Sequence, residues 1–271
     1  MEPWRVASRF GCSVELTSIH LLDLEVVRAY VETANGAGEL PATLQGGWRD
    51  RLREAAIAGR ARATAGEEAG ANALTYGLGQ VLAAVQPTFF HPGLSLTAWE
   101  ARIDRGVGML MRPPARLFID AGLDVAAARA MPIRLDLSRG MMGGAFIPAR
   151  LVPDFEGLLE SRLDRSVRRL VDAELDPVAV MGLMFEIAAE ARRTGLGLYE
   201  AIDVVMPDQP DAMLPGTRVV VADRKRIEPA LRKRIAVAAK PVKKPGLLAR
   251  MLGRGARSGN GLASYPEGEQ R

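Results

Sequence analysis

Side chains that commonly carry catalysis are few in this chain. It contains two histidines, His20 and His91, and one cysteine, Cys12. A Ser-His-Asp or Cys-His site would have to use one of the two histidines. His20 is followed by two leucines and has no Gly-x-Ser-x-Gly elbow beside it, which favours a packed imidazole over a general base. His91 precedes a Pro-Gly pair, which is typical of a loop residue, so we predict no catalytic residue.

Motifs for metals and cofactors are missing from the sequence as well. Zinc sites need several cysteine or histidine ligands at close spacing, and this chain supplies three such residues in all. The sequence has no Walker motif and no G-x-G-x-x-G after a strand. A magnesium site built from scattered carboxylates stays open. We therefore predict neither a metal nor a cofactor.

A glycine-rich turn at residues 140–144, flanked by arginines, is the best candidate for binding a small anion. It follows residues 133–137, where apolar and polar side chains alternate as they do in a strand. Glycine lets backbone N–H groups approach a phosphate or carboxylate, and arginine adds paired donors. A plain hairpin turn with Met141 and Met142 packed inward is the alternative, because the spacing matches no phosphate loop. The candidate ligand-binding residues are Arg134, Arg139, Gly143, Gly144 and Arg150.

Positive charge is concentrated at the C-terminal end. Residues 218–271 hold 14 Lys/Arg and 4 Asp/Glu, a net charge of +10, which leaves 22 and 28, a net charge of −6, for residues 1–217. Basic tails commonly meet acidic lipid, nucleic acid or an acidic protein. Nucleic acid is disfavoured here, because the preceding residues are acidic and residues 240–271 contain a single aromatic, Tyr265. A solvated tail that aids solubility is the alternative.

Part of this tail has the composition of a short amphipathic helix. Leu247, Leu248, Met251 and Leu252 cluster on one side of a helical projection, with arginines on the other side. This pattern is typical of a helix that docks on a membrane surface or on a partner. A segment this short, with two glycines, should be marginal as a helix in water, so a disordered tail stays open. The residues predicted to engage an anionic surface are Lys243, Lys244, Leu248, Arg250, Met251, Arg254 and Arg257.

Apolar periodicity predicts that helices make up most of the remaining chain. Thr97 and Glu100 match a capping box, Pro87 should end a helix, and residues 88–94 should form a loop. Residues 198–205 are expected to add one or two helical turns. The helices are predicted over 23–34, 48–63, 67–86, 97–112, 154–175 and 177–193 and through Ile227, Leu231 and Ile235.

Strands are predicted in fewer places. Val14, Leu16 and Ile19 indicate a short strand, and residues 132–152 and 218–222 should build a small β element. Residues 116–124 and 168–176 share the pattern R-x-Φ-Φ-D-A-x-L-D, where Φ is apolar, which indicates either a duplication or two similar helix ends. The predicted fold class is mainly α (α+β). It comprises a helical body over 1–239, with a subdivision near 87–95 left open, and a disordered or weakly helical basic tail over 240–271.

These observations favour a non-catalytic cytoplasmic interaction or adaptor protein whose basic tail engages an anionic surface. A single cysteine argues against a disulfide framework, and neither a signal peptide nor a transmembrane run of about 18 apolar residues is visible. The expected location is cytoplasmic, with a peripheral position at the membrane left open, and the sequence does not identify a protein partner. The alternatives are an enzyme acting on a small anionic substrate near the glycine-rich turn and a nucleic-acid-binding accessory protein.

Overall fold

The central sheet joins strands that are far apart in the sequence. The computed structural model describes residues 17–44, 47–92, 94–133, 145–202, 204 and 218–240. Five strands pair in the order β3-β4-β1-β2-β5; β2 and β5 are parallel, and the other neighbouring pairs are antiparallel. Their bounds are β1 Thr17–Leu22, β2 Thr88–Phe90, β3 Phe146–Ile147, β4 Gly197–Ile202 and β5 Val219–Val221.

Helices pack against both faces of this sheet. The described residues form ten α-helices, which confirms the mainly α (α+β) class. They are α1 Leu24–Ala34, α2 Trp48–Thr64, α3 Glu68–Val85, α4 Leu96–Arg102, α5 Leu117–Asp120, α6 Val125–Arg129, α7 Val152–Ser161, α8 Leu163–Asp172, α9 Pro177–Thr194 and α10 Pro229–Ala238. The compact unit to which they belong ends at Ala239.

Alternate residues along the strands contribute to two separate cores. Leu22 and Tyr199 belong to a first core with α1, α2, α3 and α5. Ile19 and Leu198 belong to a second core with α4, α7, α8, α9 and α10. All six residues of β4 are buried. A strand that is covered on both faces loses the alternation of apolar and polar residues by which strands are recognised.

Because buried strands lose the alternation of apolar and polar residues, two sequence predictions about the sheet were wrong. Residues 198–205 were predicted as helical turns, but 197–202 form β4, next to β1 in the sheet. Residues 88–94 were predicted as a loop, but 88–90 form β2, also beside β1. β3 and β5 lie in the two ranges that were predicted to contain a β element. The strand predicted at 133–137 lies outside the described residues except for Ile133.

The predicted helix over 97–112 is shorter and begins differently. Its N-cap is Ser95 and not Thr97. The Oγ of Ser95 accepts a hydrogen bond from the Ala98 amide at 2.9 Å. The helix ends at Arg102, and a 3-10 turn follows over Arg105–Met109. Asp104 starts that turn by accepting a hydrogen bond from the Gly106 amide at 2.9 Å, so a second cap replaces helix continuation.

The helix predicted over 154–175 is divided into α7 and α8. Its apolar stripe from Phe155 through Leu163 to Leu170 is buried, and Met184 and Ile187 on α9 are buried too. Arg162 lies between α7 and α8 with φ −114° and ψ 15°, outside helical geometry. Its guanidinium donates to the buried carboxylate of Asp104, a contact that a local periodicity argument does not predict.

The repeated R-x-Φ-Φ-D-A-x-L-D pattern builds the same helix stop twice. Gly122 and Glu174 occupy equivalent places and both have positive φ, 93° and 58°. Each is followed by a leucine whose amide bonds the carbonyl five residues earlier, as in a Schellman motif. The final Asp124 and Asp176 then cap the next helix. Helix-stop chemistry therefore accounts for the shared residues.

Glycines in α3 allow close packing against neighbouring segments. A Cβ on Gly70 would lie 2.8 Å from the Gly59 carbonyl oxygen of α2, and one on Gly79 would lie 2.9 Å from Val204 Cγ2. A Cβ on Gly77 would overlap the hydroxyl of Tyr30 on α1. These positions bring the backbone of α3 directly against its neighbours.

Candidate anion-binding groove

Most of the predicted site residues lie outside the described part of the chain. Arg150 is placed: it is exposed in a 3-10 turn, Ala149–Leu151, just after β3. Because the glycine-rich turn lies outside the described residues, a joint site of Arg150 and this turn stays a prediction. The undescribed candidates are Arg134, Arg139, Gly143, Gly144, Lys243, Lys244, Leu248, Arg250, Met251, Arg254 and Arg257.

His20 is a packed residue in the middle of β1. Its ring nitrogens lie 2.8 Å from Ser18 Oγ and 3.1 Å from Thr88 Oγ1, and its exposure is 1%. Burial lowers the pKa of His20 to about 3, so the imidazole is neutral at physiological pH. Both ring nitrogens are occupied by hydroxyl groups of the sheet, which gives His20 a structural role in the first core.

The neutral state of His20 can be tested by following its ring signals with NMR. We expect no titration of His20 between about pH 5 and pH 8, where an ordinary histidine would change its charge. The half-exposed His91 provides the comparison, since burial lowers its pKa but leaves the ring in contact with solvent. A midpoint for His20 above about pH 6 would contradict the buried hydrogen-bonded arrangement.

Glu200 is a buried carboxylate that the sequence prediction missed. It lies in β4 and accepts hydrogen bonds from the amide of Thr97, at 3.0 Å, and from the Thr97 hydroxyl. Burial raises the pKa of Glu200, while the hydrogen bonds at the start of α4 oppose that shift. The carboxylate therefore ties the sheet to the N-terminus of α4. An acidic residue within the otherwise uncharged stretch 194–202 was the available signal.

A groove opens between α10 and the junction of α7 with α8. It has a volume of about 910 Å³ and two acidic side chains in its lining, Glu160 and Asp164. We call it the cationic groove after its five basic side chains, Arg162, Arg165, Arg168, Lys233 and Arg234.

Two of the five cations are held by carboxylates. Arg162 Nη1 lies 2.6 Å from Oδ1 of Asp104, a residue that is 3% exposed. Arg234 Nη2 lies 2.7 Å from Oε2 of Glu160, and this hydrogen bond raises the pKa of the Arg234 guanidinium. These contacts fix the two guanidinium groups in the wall of the groove and compensate their charge.

The other three cations face solvent without compensation. Arg165, Arg168 and Lys233 are exposed and have no ion pair or hydrogen-bond partner in the part of the chain that the structure describes. Asp164 is the remaining acidic side chain of the lining. The groove therefore carries an excess of positive charge that is available to an anion.

The two helices present these cations because their opposite faces are buried. On α8, Leu163, Val167 and Leu170 enter the second core, which turns the arginines outward. On α10, Ile235 is buried, and Ala230, Lys233, Arg234 and Val237 line the groove at i, i+3, i+4 and i+7. The cations come from segments far apart in the sequence, so the sequence alone did not predict this group.

The groove offers positively charged side chains to an anion. Its lining contains no histidine or cysteine, and no cluster of three or more metal-ligating side chains occurs within the described residues. No helix among the described residues is long and apolar enough to cross a membrane. Comparison with protein-family models, with curated proteins and with solved structures finds no match to this chain.

Proposed function

We propose that this protein is a non-catalytic interaction protein that attaches reversibly to an anionic membrane surface. The observation that carries the proposal is the cationic groove, where Arg165, Arg168 and Lys233 lack a described counter-ion. α10 forms one wall of this groove, and the chain passes from its end at Ala238 directly into the basic tail that begins at Lys240. Body and tail thus offer consecutive positive segments to one anionic partner.

The tail supplies the two contributions that binding at a membrane interface needs, electrostatic attraction and burial of apolar side chains. Residues 240–271 hold 7 Lys/Arg and 2 Asp/Glu, a net charge of +5. Each basic residue near an acidic bilayer contributes about 1 kcal/mol of attraction, which falls within a Debye length. Leu248 and Met251, with their apolar neighbours, add partial burial. Neither contribution alone makes a stable anchor, so binding should be reversible.

Sedimentation with vesicles tests this proposal. The full chain should bind phosphatidylserine-containing vesicles, should not bind phosphatidylcholine vesicles, and should dissociate as salt is raised. Truncation after Ala239 should abolish most of the binding. Leu248→Glu with Met251→Glu should weaken it by more than about 30-fold with the basic residues kept, because apolar burial is lost and two negative charges are added beside an anionic surface.

A peptide spanning residues 240–258 separates folding of the tail from attachment of the body. Circular dichroism should show helix with anionic vesicles and little helix in buffer. Absence of binding by the full chain at low salt, together with a peptide that stays unstructured on vesicles of every charge, would contradict the proposal. The basic segment would then be a solvated tail.

A further inference from the structure

An exposed apolar side chain lies among the cations of the groove. Val237 is 58% exposed, and it follows Lys233 by one helical turn on the face of α10 that lines the groove. An apolar side chain beside solvent-facing basic residues can enter the headgroup region of a bilayer while the cations contact lipid phosphates.

We propose that the cationic groove is itself a phospholipid headgroup site, so that the body docks with α8 and α10 against the bilayer. Lipid phosphates and carboxylates lie between Arg165, Arg168 and Lys233. Val237 reaches the boundary between headgroups and acyl chains. This inference rests on the proposed function and adds to it a second, structured attachment point and a fixed orientation of the body.

Two arginine side chains of the groove are already held by carboxylates before a ligand binds. Because Asp104 holds Arg162 and Glu160 holds Arg234, two guanidinium groups are already ordered before binding. Ordering a long side chain on binding costs about 0.5 to 1.5 kcal/mol, and here that cost falls on the three free cations alone. The paired arginines shape the wall, while the free ones supply the charge.

Continuity with the tail argues for a bilayer as the occupant. Lys240 lies two residues beyond the end of α10, so any surface that captures the tail is brought close to the groove. A tethered second site binds at a high effective concentration, which makes several weak headgroup contacts sufficient. An extended anionic surface satisfies both elements at once, whereas a small free anion occupies the groove alone.

Neutralising the groove in the full chain tests the inference. Arg168→Gln with Lys233→Gln removes two free cations and leaves the tail intact. At about 1 kcal/mol for each cation, vesicle affinity should fall about 30-fold. Arg53→Gln with Arg129→Gln is the matched control, because both arginines are exposed on helices of the first-core side and have no ion pair within the described residues. That control should change vesicle affinity by less than about threefold.

A fluorescent label reports whether the groove face touches the bilayer. In a Cys12→Ser background, which removes the only native cysteine, Val237→Cys carries an environment-sensitive dye. Its emission should shift to shorter wavelength when anionic vesicles are added. The same dye at Ala58→Cys, on the exposed face of α2, should keep its emission unchanged.

The outcomes separate this inference from the proposed function. If the full chain does not bind anionic vesicles, the proposed function fails. If it binds, but the groove variant binds equally well and the label at position 237 does not respond, attachment is through the tail alone and the inference is overturned. It is also overturned if duplex DNA binds the full chain more tightly than vesicles and with the same dependence on Arg168 and Lys233.

Discussion

Replacing Glu200 with alanine is expected to lower the free energy of unfolding by about 3 kcal/mol. The carboxylate is fully buried in β4 and receives the Thr97 amide and hydroxyl at the start of α4. Alanine leaves both donors without an acceptor and opens a cavity in the second core. Chemical denaturation of both proteins at neutral pH measures the difference. A loss below about 1 kcal/mol would contradict a capping role for this side chain.

Replacing Glu200 with glutamine tests whether the carboxyl group ionises differently in the folded and unfolded states. Burial raises the pKa of Glu200, so the folded state favours the protonated carboxyl. The stability that this preference contributes is complete below the ordinary pKa of glutamate and is lost as pH rises through the raised folded pKa. Glu200→Gln does not titrate. Its free energy of unfolding, measured relative to that of the natural chain, should therefore increase as pH rises through this window. Parallel pH profiles would show that Glu200 ionises equally in both states.

Substituting alanine for Gly70 should lower the free energy of unfolding by about 2 kcal/mol. The new Cβ would lie 2.8 Å from the Gly59 carbonyl oxygen and closer still to the Ala63 amide nitrogen. Both are backbone atoms of α2, so relief requires α2 and α3 to separate. Alanine improves helix propensity by about 1 kcal/mol, which offsets only part of this cost.

Gly157→Ala provides a control of opposite sign. Gly157 lies in α7, is exposed, and a Cβ there would have no atom within 4 Å. The substitution should therefore raise the free energy of unfolding by about 0.5 to 1 kcal/mol through propensity alone. Thermal and chemical denaturation of the two variants should show shifts in opposite directions. Stabilisation by both substitutions would mean that α2 and α3 are not in close contact at Gly70.

Local chemistry was sufficient to predict most helices. α1 begins after Asp23, which accepts the Glu25 amide at 2.9 Å, and α9 begins after Asp176 with a proline in its first turn. These boundaries depend on neighbours within one turn, which the sequence displays directly. The break at Arg162 was not predicted, because its partner Asp104 is separated from it by 58 positions.

The sheet and the groove depend on contacts of longer range. β4 reads as an apolar segment with one buried acid, since helices cover both of its faces. The groove combines arginines of α8 with basic residues of α10, each of which looks like an ordinary solvated helix face when taken alone. Only the packing of α10 on α8 and α9 brings these charges together.

The strand order has a consequence for how the chain folds during synthesis. β1 ends at Leu22, yet its long antiparallel partner β4 starts at Gly197. One edge of β1 therefore has no partner until most of the polypeptide has left the ribosome, and closing so long a loop precedes completion of either core. Such non-local pairing slows folding and leaves strand edges open to association with other chains. Chains that stop before β4 therefore leave this edge of β1 unpaired.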